Sequence, residues 1–304
     1  MGYTATDPHR AVFAAQLKLP SGSLSNVKLF DVDITSVNEK RLRESVDDSA
    51  LLALCRNDTH AYANCTDSSS FFPEISSHRD LLFAYRAWNG AGDGIGSQAL
   101  AIQSSSGVVK ALTYEKDNVQ RMDSCPRFVP GSNDSLVLFS SDNGDERRYL
   151  KLHDLTTGVT TTLEALGQVA EFGGCPDFFA HQEPGSAQFF FIAGEPNTPS
   201  LRCEMRAASV SLHPPYSTSW YSLWQIPLLA YGGAVDVMAY RDCSRLHPGS
   251  SEVLACVTAD DRVAIVDITS GETRVNYSVP MMPFQNRSAP RRSFCRTPEC
   301  YVVL

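Results

Sequence analysis

The chain has 304 residues, 43% of them hydrophobic and 20% charged, which fits one large globular domain or two smaller ones. A formal net charge of -8 argues against a nucleic-acid partner, because phosphate contacts need clustered Lys and Arg, and the densest basic spots, at 40–43 and 291–292, are short. No apolar run approaches the roughly 20 residues of a membrane span, and no charged leader with an apolar core opens the sequence.

Ser, Thr, Gly and Pro recur at short intervals, so the expected elements are short strands joined by frequent turns. In chain order, Thr6-Asp7-Pro8 comes first. The segment 27–34, Val-Lys-Leu-Phe-Asp-Val-Asp-Ile, then alternates as a strand does. Residues 11–43 resemble the second, third and fourth strands of a four-strand unit. Residues 44–70, with Cys55 and Cys65, are either an insertion or a degenerate unit.

Three later stretches align with one another. Phe71-Phe72-Pro73 precedes the strand 80–85, Cys125-Pro126-Arg127-Phe128 precedes 135–141, and Cys175-Pro176-Asp177-Phe178 precedes 187–193. Their openings lie 54 and 50 positions apart. A period near fifty with this strand content predicts a propeller. The units fall near 71–114, 125–163, 175–229 and 235–279. The C-terminal segment 294–304 would supply the strand missing from 11–43. Pairing the two ends would close the ring and remove exposed sheet edges. The expectation is therefore a single all-β domain over 1–304, a propeller of five four-stranded antiparallel blades, with six as the alternative.

Within the clearest unit, Tyr149 to Leu155 alternates apolar and polar residues and predicts one buried face. Asp31, Asp154 and Asp267 each end a strand before a Thr/Ser turn, where a carboxylate can accept turn N–H bonds. Pro126 and Phe128, Ser141-Asp142 and Gly144, and Asp154-Leu155 with Gly158 resemble the TolB-type, WD40-like propeller repeat. That family's Pro-Asp-Gly turn is absent, and 130–134 reads Pro-Gly-Ser-Asn-Asp instead. The resemblance implies architecture alone, since proteins of unrelated function share these repeats.

The chemistry-bearing residues form few motifs. No Gly-x-Ser-x-Gly elbow is present. The glycine-rich stretch 90–96 has no following helix to hold phosphates. The seven histidines show no helical metal spacing, and no Cys-x-x-Cys has a matching second pair. No metal or cofactor is expected. The strongest catalytic candidates are carboxylates that could converge on a channel, as in a furanosidase-like propeller: Asp7, Asp177 and Asp236, with Glu74 and Asp123 similarly placed near first strands. The binding candidates are Trp88, Trp220 and Trp224. Alternation puts Trp220 and Trp224 on one strand face.

The nine cysteines read as buried thiols, with Cys55/Cys65 and Cys295/Cys300 as pairs that could close small loops. Five Asn-x-Ser/Thr sequons, at Asn57, Asn64, Asn133, Asn276 and Asn286, suit a secreted chain or ectodomain whose leader was trimmed. A full chain without a leader would instead be cytoplasmic. The function expected is a non-enzymatic protein-interaction scaffold or ligand-binding propeller with a protein partner. The alternative is a carbohydrate-active hydrolase or lyase using channel carboxylates.

Overall fold

The structure is a computed structural model that describes residues 2–3, 10–15, 28–33, 43–44, 74–78, 80–87, 97–113, 122–142, 147–170, 175–194, 203–226, 228–231, 235–238, 240–245, 253–258 and 263–277. Those residues are all-β apart from one 3-10 turn, Glu164–Leu166. None of their helices is long and apolar enough to cross a membrane. The chain divides into two compact regions, Met1–Pro126 with Pro280–Leu304, and Arg127–Val279.

The first region holds two four-strand sets. β1 (Gly2–Tyr3), β2 (Arg10–Ala15), β3 (Lys28–Asp33) and β4 (Arg43–Glu44) pair in sequence order. The first strand expected for this set is 294–304, which lies outside the described residues; β1 occupies that place beside β2. β5 (Glu74–Ile75), β6 (Leu81–Ala87), β7 (Ser97–Gln103) and β8 (Val109–Ala111) form the second antiparallel set. The run Leu81 to Tyr85 is buried throughout. β7 also meets the start of β9 (Met122–Phe128) through one parallel pair, Gln98↔Met122.

The second region continues from β9 into β10 (Leu136–Asp142), β11 (Arg148–Asp154) and β12 (Thr160–Thr162). Next come β13 (Asp177–Phe178), β14 (Ser186–Ala193), β15 (Glu204–Ser211) and β16 (Thr218–Gln225). A two-stranded hairpin follows, β17 (Leu228–Tyr231) with β18 (Val235–Met238). The last set is β19 (Tyr240–Arg245), β20 (Val253–Thr258), β21 (Val263–Asp267) and β22 (Thr273–Tyr277). The described residues thus contain five runs of four consecutive strands. The unit expected at 235–279 starts later, at β19, and the hairpin stands before it.

β14 explains the packing of this region. Its Phe189-Phe190-Phe191-Ile192 run does not alternate, because both of its faces are covered. Phe189 and Phe191 join a core with Leu138, Leu150, Leu152 and Leu166. Phe190 and Ile192 join another with Met205, Leu254, Ala264 and Val266. Burying each such side chain contributes about 1.5–3 kcal/mol. β11 departs from the single buried face expected of it. Lys151 and His153 are buried as well as Leu150 and Leu152. The strand has neighbours on both edges, and His153 Nδ1 lies 2.8 Å from Thr160 Oγ1 on β12.

Candidate functional site

The turn carboxylates act structurally, as expected. Asp154 Oδ1 accepts the N–H of Thr156 at 2.8 Å and of Thr157 at 3.2 Å, and Asp267 Oδ1 accepts those of Thr269 at 2.9 Å and Ser270 at 3.0 Å. Their second oxygens tie distant residues. The Tyr216 hydroxyl donates to Asp154 Oδ2 at 2.9 Å, and Arg274 pairs with Asp267 Oδ2. Burial works against the Asp154 carboxylate, but bonds from Thr156, Tyr216 and Thr157 outweigh it and hold its pKa below the ordinary value. The Ser270 N–H, the Arg274 guanidinium and the Thr269 N–H lower Asp267 further. The Asp31 side chain lies outside the described residues.

The candidate catalytic carboxylates lie on separate strands. Asp177 stands on β13 opposite Phe190, half-buried, and its Oδ1 accepts the Phe178 N–H at 2.9 Å. Glu74 lies on β5 opposite Leu82, and Asp123 is buried on β9. Those three do open four-strand sets. Asp236 does not: it lies on β18 opposite Ala230, within the two-stranded hairpin. Asp7 and Trp88 lie outside the described residues. Among the described residues, no three His, Cys, Asp or Glu side chains converge to hold a metal ion.

The two remaining tryptophans share β16 but not a face. β15 pairs Met205 with Trp224, then Arg206 with Ser222, so Leu223 is an extra residue that the ladder skips. Strand alternation has a period of two, so one inserted residue inverts every side chain beyond it. Trp224 therefore sides with Met205, while Trp220 sits opposite Ala208, whose side chain belongs to the other core. The single face expected for both is corrected by this bulge.

Trp224 is a packing residue. It lies against the core of Met205 and Val266, and its indole Nε1 donates to the Ile268 carbonyl at 3.0 Å. A Cβ on Gly271, whose φ is +73°, would come within 2.6 Å of the ring. The turn that Asp267 caps is thus pressed against the indole.

Trp220 faces outward, 43% exposed, and its neighbour Tyr221 is 63% exposed. The Arg206 guanidinium carbon stacks 3.8 Å from the Trp220 ring centroid. Arg206 is itself fixed, donating to the Leu166 carbonyl at 2.6 Å and to Glu204 Oε1 at 2.5 Å. Glu204 Oε2 accepts from Ser222 Oγ at 2.8 Å and Gln225 Nε2 at 2.9 Å. Burial would raise the Glu204 pKa, but Ser222, Arg206 and Gln225 together lower it, so the carboxylate stays charged and keeps the cation in place. The result is an exposed indole stiffened by a hydrogen-bonded Glu–Arg pair. Such a surface loses little side-chain freedom on contact, which favours binding. Sequence reasoning missed Glu204 and Arg206. Their i, i+2 spacing on a strand was the available sign, but only the register opposite β16 gives it meaning.

The cysteines divide. Cys125, Cys175 and Cys256 are disulfide-bonded, against the reading of buried thiols. Cys203 is free and buried, and burial pushes its pKa up, so it is a poor nucleophile. Cys55, Cys65, Cys295 and Cys300 lie outside the described residues.

No protein-family model matches the chain, and no curated protein matches it. Several solved structures do. A chain of the mitotic checkpoint complex matches with a TM-score of 0.39 and 12% identity over 70% of this chain, which spans about half, 52%, of that one. TolB from Acinetobacter baumannii matches with a TM-score of 0.35 and 14% identity, over 87% of this chain and 68% of that one. A thermostable family-43 glycoside hydrolase matches with a TM-score of 0.39 and 12% identity, over 87% of both chains. The likeness is one of fold.

Proposed function

We propose that this chain is a single propeller domain of five four-stranded blades and that it serves as a protein-interaction scaffold through the outer strand β16. Five runs of four consecutive strands, the last one set apart by the β17–β18 hairpin, support the blade count. Six blades would require 44–70 or the β17–β18 hairpin to stand for a degenerate one. Closure by the two termini belongs to the same reading, with 294–304 adding outside β1, which already fills the place beside β2: removing 294–304 should lower the melting temperature by several degrees, whereas an unchanged melt would count against closure.

The observation that carries the scaffold reading is the exposed Trp220 stacked on the Arg206–Glu204 pair, with exposed Tyr221 next to it on the other face of β16. Trp, Tyr and Arg are the residues most enriched in binding hot spots. The test is cross-linking of the intact chain to its captured partner, with the contact mapped by mass spectrometry. Cross-links concentrated around β16, and capture lost in Trp220→Ala, are the expected result. Capture undiminished by Trp220→Ala would overturn the reading.

A carbohydrate-active enzyme is the second reading. What favours it is the position of Asp177 on β13, the first strand of its set. Asp7, Asp177 and Asp236 would be its acid, base or nucleophile. Hydrolysis of a glycan panel that falls at least a hundredfold in each Asp→Asn variant would establish it, and equal rates would dismiss it.

A further inference from the structure

We infer that Asn133 is an N-glycosylation site, carrying an oligosaccharide on the turn between β9 and β10. Five sequons occur, and they are not equivalent. Asn57, Asn64 and Asn286 lie outside the described residues, and Asn276 lies within β22, paired with Ala264. Asn133 alone among the described sequons stands in a turn, and it is exposed.

The turn is built without the Asn133 amide. Ser132 Oγ donates to the Val129 carbonyl at 2.7 Å and accepts the Leu136 N–H at 3.3 Å. Ser135 Oγ donates to the Ser132 carbonyl at 2.6 Å. Asn133 and Asp134 have φ of 54° and 58°, a left-handed conformation that Asn and Asp tolerate better than other side chains. Asn133 is therefore kept for its backbone, while its side-chain amide makes no hydrogen bond among the described residues. A glycan there displaces no hydrogen bond among the described residues.

A second, independent observation concerns the compartment. Cys125, Cys175 and Cys256 are disulfide-bonded, and such bonds persist in oxidising compartments. That is where sequons are used. In the transfer, a bond forms between Asn133 Nδ2 and C1 of the first sugar. The bond from that C1 to the pyrophosphate of a lipid-linked oligosaccharide donor breaks. The lipid pyrophosphate leaves, and the amide nitrogen gives up one proton.

The test expresses the full 304-residue chain behind a secretory leader in a eukaryotic host. Enzymatic release of N-glycans in heavy-oxygen water converts an occupied Asn into labelled Asp, which peptide mass spectrometry locates. Label at position 133 is expected. The gel shift on deglycosylation should shrink by one glycan in Asn133→Asp, which keeps the left-handed turn, and stay whole in Ser135→Thr, which keeps the sequon. Unlabelled Asn133 in disulfide-bonded protein would overturn the inference, whether that protein is recovered from the medium or from the lumenal fraction.

Discussion

The two ends of β16 carry the same kind of residue into different surroundings. At its C-terminal end Trp224 is wedged between a core and a capped turn, with its indole N–H bonded to the Ile268 carbonyl. Four residues earlier Trp220 lies in the open, with Arg206 stacked across its face. Between them stands one unpaired residue, Leu223. The comparison teaches that a single bulge can let one edge strand do two jobs, closing a core with one aromatic residue and presenting another to solvent.

If that division is right, mutations at the two ends should differ in kind. The largest stability loss is expected from Trp224→Ala. Truncating a packed Trp costs about 3 kcal/mol or more, from lost burial and the cavity left behind. For a domain of this size that is a fall of roughly 4–6 °C in melting temperature. A calorimetric scan that moves by less than about 2 °C would break the comparison.

Gly271→Ala attacks the same contact from the turn. An added methyl meets the indole and must also adopt a positive φ. Strain of this kind costs about 2 kcal/mol. Because the two substitutions share one contact, the double variant with Trp224→Ala should lose less than the sum of the singles. A strictly additive pair would show that Gly271 matters for its φ alone.

Asp267→Asn probes the cap of that turn, with an expected loss of about 1 kcal/mol at neutral pH. The sign with pH follows from the lowered carboxyl. A carboxyl whose folded pKa lies below its ordinary 3.8 adds stability that is present above that value and is lost as pH falls through the folded value. Denaturant melts of native and variant chains should therefore differ at pH 7 and converge as the pH drops below about 4. A gap that persists in acid would mean the variant acts through packing instead.

How much of this was legible in the sequence depends on whether the signal was periodic. The repeat at Phe71, Cys125 and Cys175 and the Asp-before-turn pattern at Asp154 and Asp267 sit on regular spacing, and the strands and caps follow it. The bulge at Leu223 has no such mark. A skipped residue is a property of the ladder between two strands, so alternation read from β16 alone put both tryptophans on one face. The same blindness hid Glu204 and Arg206, whose importance arises across the ladder from Ser222 and Trp220. Asp236 failed differently. The two-stranded hairpin before β19 looks apolar enough to open a blade, so the first strand of the last set was placed too early.

The smallest stability effect belongs to Trp220→Ala, and it is the one that separates the two ends most cleanly. The indole is already largely open to water, so little burial is lost. What disappears is the stacking of Arg206, a contribution of about 0.5–1 kcal/mol at an exposed site. Arg206 keeps its bonds to Leu166 and Glu204, so the guanidinium should stay in place. The melting temperature should thus fall by no more than about 2 °C, while partner capture falls by tenfold or more, the scale of an interface hot spot. Arg206→Lys sharpens the point. Lysine keeps the charge but cannot reproduce the planar stack and the two directed bonds together, so it should loosen Trp220 and weaken capture with the aromatic residue still present. Large destabilisation in Trp220→Ala would place that residue with Trp224 as packing. Unchanged stability with weakened capture assigns the outer end of β16 to recognition.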